Sequence, residues 1–373
     1  MQIWREACSS GAVAPEGCAK IVLIWRLCHG SAAAIVVREG SASGFDFCSP
    51  NAIAPNNATT DQINGHGGQQ GSSTDAAYGS ILNPVMPGSS GIKGNRDHSV
   101  AGGGAVTLRV SGELRLDGIA ESTGDWNGRS PGWDGSANVG PGGSINITAG
   151  SLSGAGFIRA HGLERSYNSG ASINFWGHSG GGRIAIRLTN PGATFDAFNL
   201  ANITAKGGSK NGQLNNQEAI NKDPGGSTNR FSSAGTIYLQ DAAQSEGAGT
   251  IIIRNDNNPL NVFPFTVIPA LTYGGLDDDL SQTALLVEDC ARVKLAAPVK
   301  LHEAVAAAGT VVDLNGNVLT LRRLTLSGRR ATVGGRFTAA QLAALGFTGV
   351  IDTSAGKNGE IEILSDATML IIR

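Results

Sequence analysis

Gly102-Gly103-Gly104-Ala105-Val106-Thr107-Leu108, Pro141-Gly142-Gly143-Ser144-Ile145-Asn146-Ile147 and Gly180-Gly181-Gly182-Arg183-Ile184-Ala185-Ile186 align as three copies of one unit, with their last glycines at positions 104, 143 and 182, steps of 39 and 39. A fourth, degenerate copy begins at Ala234-Gly235-Thr236-Ile237-Tyr238-Leu239, 53 residues on, after an Asn/Gln/Lys-rich insertion over 206–230. Each copy carries a second extended segment: Gly112–Leu116, Gly156–Ala160, Leu200–Thr204 and Gly249–Ile253. Apolar and polar residues alternate in these segments, the period-two pattern of a half-buried strand. The glycines ahead of each first strand are expected to supply positive φ and close backbone approach at a corner. One unit is therefore glycine corner, strand, turn, strand and a loop rich in Gly, Ser and Asn. Two short strands cannot bury an apolar face alone, so the units must stack, as in a β-solenoid. A propeller has blade repeats of about 40–50 residues, and Trp133-Asp134 supplies a stray WD dipeptide, but a blade needs four strands and this unit has two.

Composition agrees with an all-β chain. Glycine accounts for 54 of 373 residues, yet hydrophobic residues reach 40%, enough for a sizeable core. Glycine does not fall at every third position, which excludes collagen. Only 16% of residues are charged and the net charge is -2, so the whole-chain electrostatic footprint of a nucleic-acid partner is missing. No apolar run reaches the roughly 18 residues of a membrane helix.

The stretch from Asn64 to Leu188 resembles a glycine-rich repeat module of large secreted or cell-surface proteins. The resemblance rests on Asn64-Gly65-His66-Gly67-Gly68, on Tyr78-Gly79-Ser80-Ile81-Leu82-Asn83-Pro84, and on the glycine–strand blocks that begin at Gly103, Gly142 and Gly180. The run Gly335–Gly346 looks like closing segments of autotransporter-type and other adhesin-like repeat proteins. What the resemblance implies is a right-handed parallel β-helix in an extracellular or cell-surface protein, with no catalytic residues to carry over. This chain departs from the module in its loops, which hold Trp126, Trp133, Tyr167, Phe175 and Trp176 where the module has plain glycine and serine.

After Ala284 glycine becomes scarcer and short strands follow one another: 285–287, 293–295, 299–301, 311–314, 318–321, 324–326, 361–363 and 369–372. Asn315-Gly316 is a turn dipeptide. Thr338 to Leu345 reads as one short helix, with Thr338 as N-cap and Gly346 just past its end. The expected organisation is an N-terminal extension or degenerate leader over 1–55, glycine-rich solenoid repeats over 56–260, and further repeats with a helix-containing cap over 261–373. The candidate targeting signal, Lys20 followed by Ile21–Trp25, is short and is interrupted by Arg26. The five cysteines, Cys8, Cys18, Cys28, Cys48 and Cys290, contain no C-x-x-C pair, so a zinc site is not expected and the odd count leaves a thiol over.

No catalytic, metal or cofactor residue is assigned. Gly177-His178-Ser179-Gly180-Gly181 matches a nucleophile elbow, but a strand follows where the elbow needs a helix. Asp277-Asp278-Asp279 lacks the alternating spacing of a calcium loop and reads as a solvated turn. Polysaccharide hydrolysis or lysis is the enzymatic alternative, with Asp117, Asp125, Asp134, Glu164 and Asp196 as candidate carboxylates. The favoured expectation is a structural or adhesive protein that meets a polysaccharide or surface glycan through Trp126, Trp133, Tyr167 and Trp176, whose rings stack on sugar faces. Nucleic acid is not an expected partner, and the oligomeric state is left open.

Overall fold

The computed structural model describes residues 66, 77–88, 102–124, 140–162, 179–208, 232–257, 265–268, 278–347, 349–352 and 358–364, together with the backbone of four strands nearer the amino terminus. Those four, β1 (Gln2–Arg5), β2 (Ile21–Arg26), β3 (Ala32–Arg38) and β4 (Ala42–Phe47), are joined to the edge of the main sheet. The apolar stretch considered as part of a leader is β2, paired antiparallel to β1 and β3. Strand 369–372 of the sequence reading lies outside the described residues.

The protein is mostly β, with parallel sheets. The first strands of the four copies are β5 (Ala105–Arg115), β7 (Ser144–Ser153), β9 (Arg183–Leu188) and β11 (Thr236–Gln240). They pair in parallel with Ala105 opposite Ser144, Ser144 opposite Arg183 and Arg183 opposite Thr236, the register of the sequence repeat. The expected second strand of the first copy, Gly112–Leu116, is instead the end of β5 and stays in the main sheet, paired with β7. A separate parallel sheet is formed by β6 (Ile119–Glu121), β8 (Phe157–Arg159) and β10 (Ile203–Thr204). A 3-10 turn over Leu200–Asn202 precedes β10, so only the end of the expected segment 200–204 is extended. Propeller blades are antiparallel, and the parallel pairing excludes them.

The glycine corners work by space, not by positive φ. The stacked glycines Gly143, Gly182 and Gly235 have ordinary backbone angles, but a Cβ on each would overlap the carbonyl of Gly104, Gly143 and Gly182 respectively. Backbones therefore touch where side chains would normally intervene. The same glycines donate N–H bonds to Ser122, Ala160 and Ala205 at the ends of the second strands, at 2.8, 2.8 and 2.7 Å. These bonds tie the end of each second strand to the next glycine corner.

The fourth copy breaks the pattern. β12 (Thr250–Arg254), read as one more second strand, folds back antiparallel on β11, with Ile237 opposite Ile252 and Leu239 opposite Thr250. The Tyr238 hydroxyl accepts the Gly249 N–H at 3.1 Å and donates to Gln240 Oε1 at 2.7 Å, pinning the hairpin at its base. Only glycine fits at 249, because a Cβ there would meet the Leu239 carbonyl and the Tyr238 ring. Beyond this hairpin the core changes face. Ile184, Ile186, Ile237, Leu239 and Ile252 pack into the core of the glycine-rich half. Ala185, Tyr238, Ile251 and Ile253, on the opposite face of the same strands, pack into the core of the carboxy-terminal half.

Two-sided burial also overturns the half-buried reading of β9 and β11. Segment 77–88 lies along the second face of the sheet and bonds its polar residues: Arg183 Nε donates to the Tyr78 carbonyl at 3.0 Å, Asn146 Nδ2 to Asn83 Oδ1 at 2.6 Å, and Arg187 to the Leu82 carbonyl. Asp278 holds this strap from the other half by accepting the Ser80 hydroxyl at 2.5 Å and the Ile81 N–H at 2.6 Å. Asp278 is thus a structural cap, not a solvated turn residue.

The carboxy-terminal half continues the main sheet with β14 (Ala284–Glu288), β17 (Glu303–Ala306) and β20 (Arg323–Leu326), all parallel to β12. A second parallel sheet holds β13 (Thr266–Ile268), β15 (Arg292–Leu295) and β18 (Val311–Asp313). A third holds β16 (Val299–Lys300), β19 (Val318–Leu321) and β23 (Glu360–Ile363). The main sheet ends at the short hairpin strand β21 (Arg329–Arg330), and β22 (Gly335–Thr338) runs antiparallel along β23. Leu285, Val293 and Leu319, one from each of the three sheets, and Ile361, the register partner of Leu319, belong to one core. Helix α1 (Ala339–Ala344) starts at Thr338 in a capping box with Gln341, and Gly346 follows it at positive φ, as the sequence signals required. Its Leu342, with Phe347 and Val350, packs on the end of that core.

Candidate functional site

Period-two alternation decides what faces outward on the β6–β8–β10 sheet. Ile158, Ala160, Ile203 and Ala205 point into the core, so Phe157, Arg159, His161, Thr204 and Lys206 share the outer face. A cleft of about 600 Å³ lies over this face. It is lined there by Phe157, Arg159, His161, Thr204 and Lys206, and from the other half by Arg254, Asp256 and Asp289. The reversal at β12 carries Arg254 and Asp256 to this position, so the cleft belongs to the junction of the two halves.

Two ties cross the junction. Arg254 donates to the carbonyls of Leu200 and Ile203, the latter at 2.7 Å, and lies 3.6 Å from Glu288. Lys206 Nζ reaches Asp256 Oδ2 at 3.2 Å. Phe157 remains 37% exposed, with the Arg159 guanidinium over its ring at 4.3 Å. His161 Nε2 lies 2.6 Å from Thr204 Oγ1. Burial, and then the positive charges of Lys206 and Arg159, push its imidazole down to about 3, so it is neutral at pH 7.

The long loops are rooted beside this cleft. At Gly124, Gly162 and Gly207 a Cβ would overlap the backbone of Gly140, Ser179 and Ser232, so each loop leaves and returns through one pinch. The pinches stack: the Ser179 hydroxyl donates to the Gly140 carbonyl at 2.6 Å, and the Gly208 N–H to the Ser179 carbonyl at 2.8 Å. Ser179, in the elbow-like motif, is therefore a buried structural hydroxyl. Thr123 and Gly162, which flank two pinches, line the cleft itself.

Trp126, Trp133, Tyr167 and Trp176 belong to loops between these pinches and lie outside the described residues, as do Asp125, Asp134 and Glu164. Asp117 pairs with Arg115 at 2.7 Å at an exposed corner, and Asp196 accepts the Thr194 hydroxyl at 2.8 Å in a surface turn; neither lines the cleft. Among the described residues the cleft carboxylates are Asp256 and Asp289, which sequence reasoning passed over. The alternation of Phe157-Ile158-Arg159 was the available signal for its floor. Among the described residues no group of three or more His, Cys, Asp or Glu side chains is arranged to hold a metal ion, and no helix is long and apolar enough to cross a membrane.

No family model matches the chain, and neither a curated protein nor a solved structure matches it.

Proposed function

We propose that the chain is a secreted or surface-displayed right-handed parallel β-helix with a structural or adhesive role, binding carbohydrate at the junction cleft and the aromatic loops rooted beside it. The constant register of the parallel sheets supports the helical coil, and parallel crossovers are right-handed in about 98% of cases. The observation that carries the binding role is the placement of an exposed aromatic floor, Phe157, next to stacked roots of loops rich in Trp and Tyr. Aromatic faces stack on sugars, while Arg, Lys and Asp at the rim match hydroxyl groups as donors and acceptors. A hydrolase or lyase on the same scaffold is the second reading, favoured by Asp256 and Asp289 facing one cleft.

Affinity electrophoresis through gels containing neutral and acidic polysaccharides, with a parallel assay for new reducing ends, tests both. The expected result is retardation by at least one polymer without new reducing ends. Retardation by none overturns the binding role, and new reducing ends move the reading to Asp256 and Asp289.

A further inference from the structure

We infer that the ligand of the junction cleft is an acidic saccharide, its carboxylate held between Arg159 and Lys206 and a face of its ring laid on Phe157. This rests on the carbohydrate-binding reading and names its substrate class. Arg159 and Lys206 sit on neighbouring strands of one outward face, on either side of His161: Thr204 is the register partner of Arg159, and the Gly162 N–H bonds the Lys206 carbonyl. Both cations bear on His161 between them.

Two of the acids near this pair have partners of their own. Asp256, 67% exposed, accepts from the Lys206 ammonium at 3.2 Å, and an ion pair with so exposed a carboxylate yields to a competing anion. Glu121, the register partner of Arg159, accepts the Thr123 hydroxyl at 2.8 Å. Arg254 is committed to backbone carbonyls and to Glu288, so it fixes the wall. Among the described residues the guanidinium of Arg159 makes no hydrogen bond, and its Cζ lies 4.3 Å from the centre of the Phe157 ring, with N–H donors suited to a carboxylate. A sugar ring on Phe157 would thus place an attached carboxylate within reach of both cations.

Calorimetric titration with three polyuronates of different linkage, each beside its carboxyl-reduced counterpart, tests the assignment. The wild-type protein is expected to bind at least one polyuronate at least tenfold more tightly than the reduced polymer, with the advantage shrinking as salt rises. Arg159→Gln and Lys206→Gln, with thermal midpoints recorded to establish folding, are each expected to remove most of that advantage. Equal affinity of the wild-type protein for each polymer and its reduced form overturns the inference without any variant, as does a preference that survives both substitutions. If the protein binds only neutral glycans, the inference falls and the carbohydrate-binding reading stands; if it binds no glycan, both fall.

Discussion

The two halves share one sheet and each has an apolar core, but they turn their corners differently. In the glycine-rich half the main-sheet strands recur at steps of 39, 39 and 53 residues, and backbone stacks on backbone at Gly143, Gly182 and Gly235. In the carboxy-terminal half successive strands recur at 34, 19 and 20 residues, and Leu, Val and Ile side chains from three sheets fill the centre. The shorter step leaves no residues to spare. The longer one spends its surplus on loops that leave through stacked pinches, and the cleft lies beside them. Glycine contacts and hydrogen bonds at the corners, added to its own apolar core, let one half carry excursions, while the other relies on its apolar core and an end cap.

Substitutions separate the two modes of cohesion. The largest effect is expected from Gly182→Ala, whose Cβ would overlap the Gly143 carbonyl, at a cost of at least about 4 kcal/mol. Gly328→Ala, at φ +78 with open space around it, is the control at about 1 kcal/mol. Urea midpoints for the two variants decide the matter: equal losses would mean that backbone stacking contributes nothing special. Leu321→Ala removes a fully buried side chain from the other core and is expected to cost about 3 kcal/mol. A loss under about 1 kcal/mol would show that the carboxy-terminal core is not well packed.

Acid should strike the halves unequally. His66 and His161 are both held down to about 3, His66 by burial and then the charge of Arg183. Below 6.5 the unfolded chain takes up protons that the folded one refuses, so stability is complete above that pH and falls as pH drops from 6.5 toward 3. At pH 5 each histidine is expected to cost about 2 kcal/mol. Hydrogen exchange at pH 7 and pH 5 should show amides of β7 and β9 losing protection before those of β15 and β19, and a uniform loss would break the comparison. The smallest effect is expected from Ser327→Gly, which relieves a non-glycine residue at φ 49 and should stabilise the protein by up to about 1 kcal/mol, read from the same urea midpoints.

Most strand positions were legible because alternation is a local signal, although Gly112–Leu116 was read as a second strand and is the end of β5; α1 was legible because Thr338 and Gly346 carry its start and stop signals. The role of the glycines was half legible: a run of glycine announces a corner, but only the stacked backbones show that space is the constraint. The reversal at β12 was hidden, because Gly249–Ile253 looks like any other second strand. Its one trace is Ile251-Ile252-Ile253, a run without alternation, as a strand buried on both faces requires. The cleft was hidden for the same reason, since Arg159, Lys206, Arg254 and Asp289 come together only once β12 has turned back. The strap over 77–88 was invisible because it satisfies polar residues that alternation assigns to solvent.

The reversal places the second core and the cleft, and paired cysteines test it most directly. In a background with the native cysteines replaced by serine, Leu239→Cys/Thr250→Cys and Tyr238→Cys/Ile251→Cys each join residues that face one another across the β11–β12 hairpin. Directly opposed Cβ atoms in an antiparallel pair lie about 4.5–5.5 Å apart, closest in non-hydrogen-bonded pairs. Rapid intramolecular disulfide formation in at least one of the two, seen as a mobility shift without reductant, is the predicted result. Failure of both pairs in folded protein would mean that β12 continues the second sheet as a fourth regular repeat, and would contradict the account.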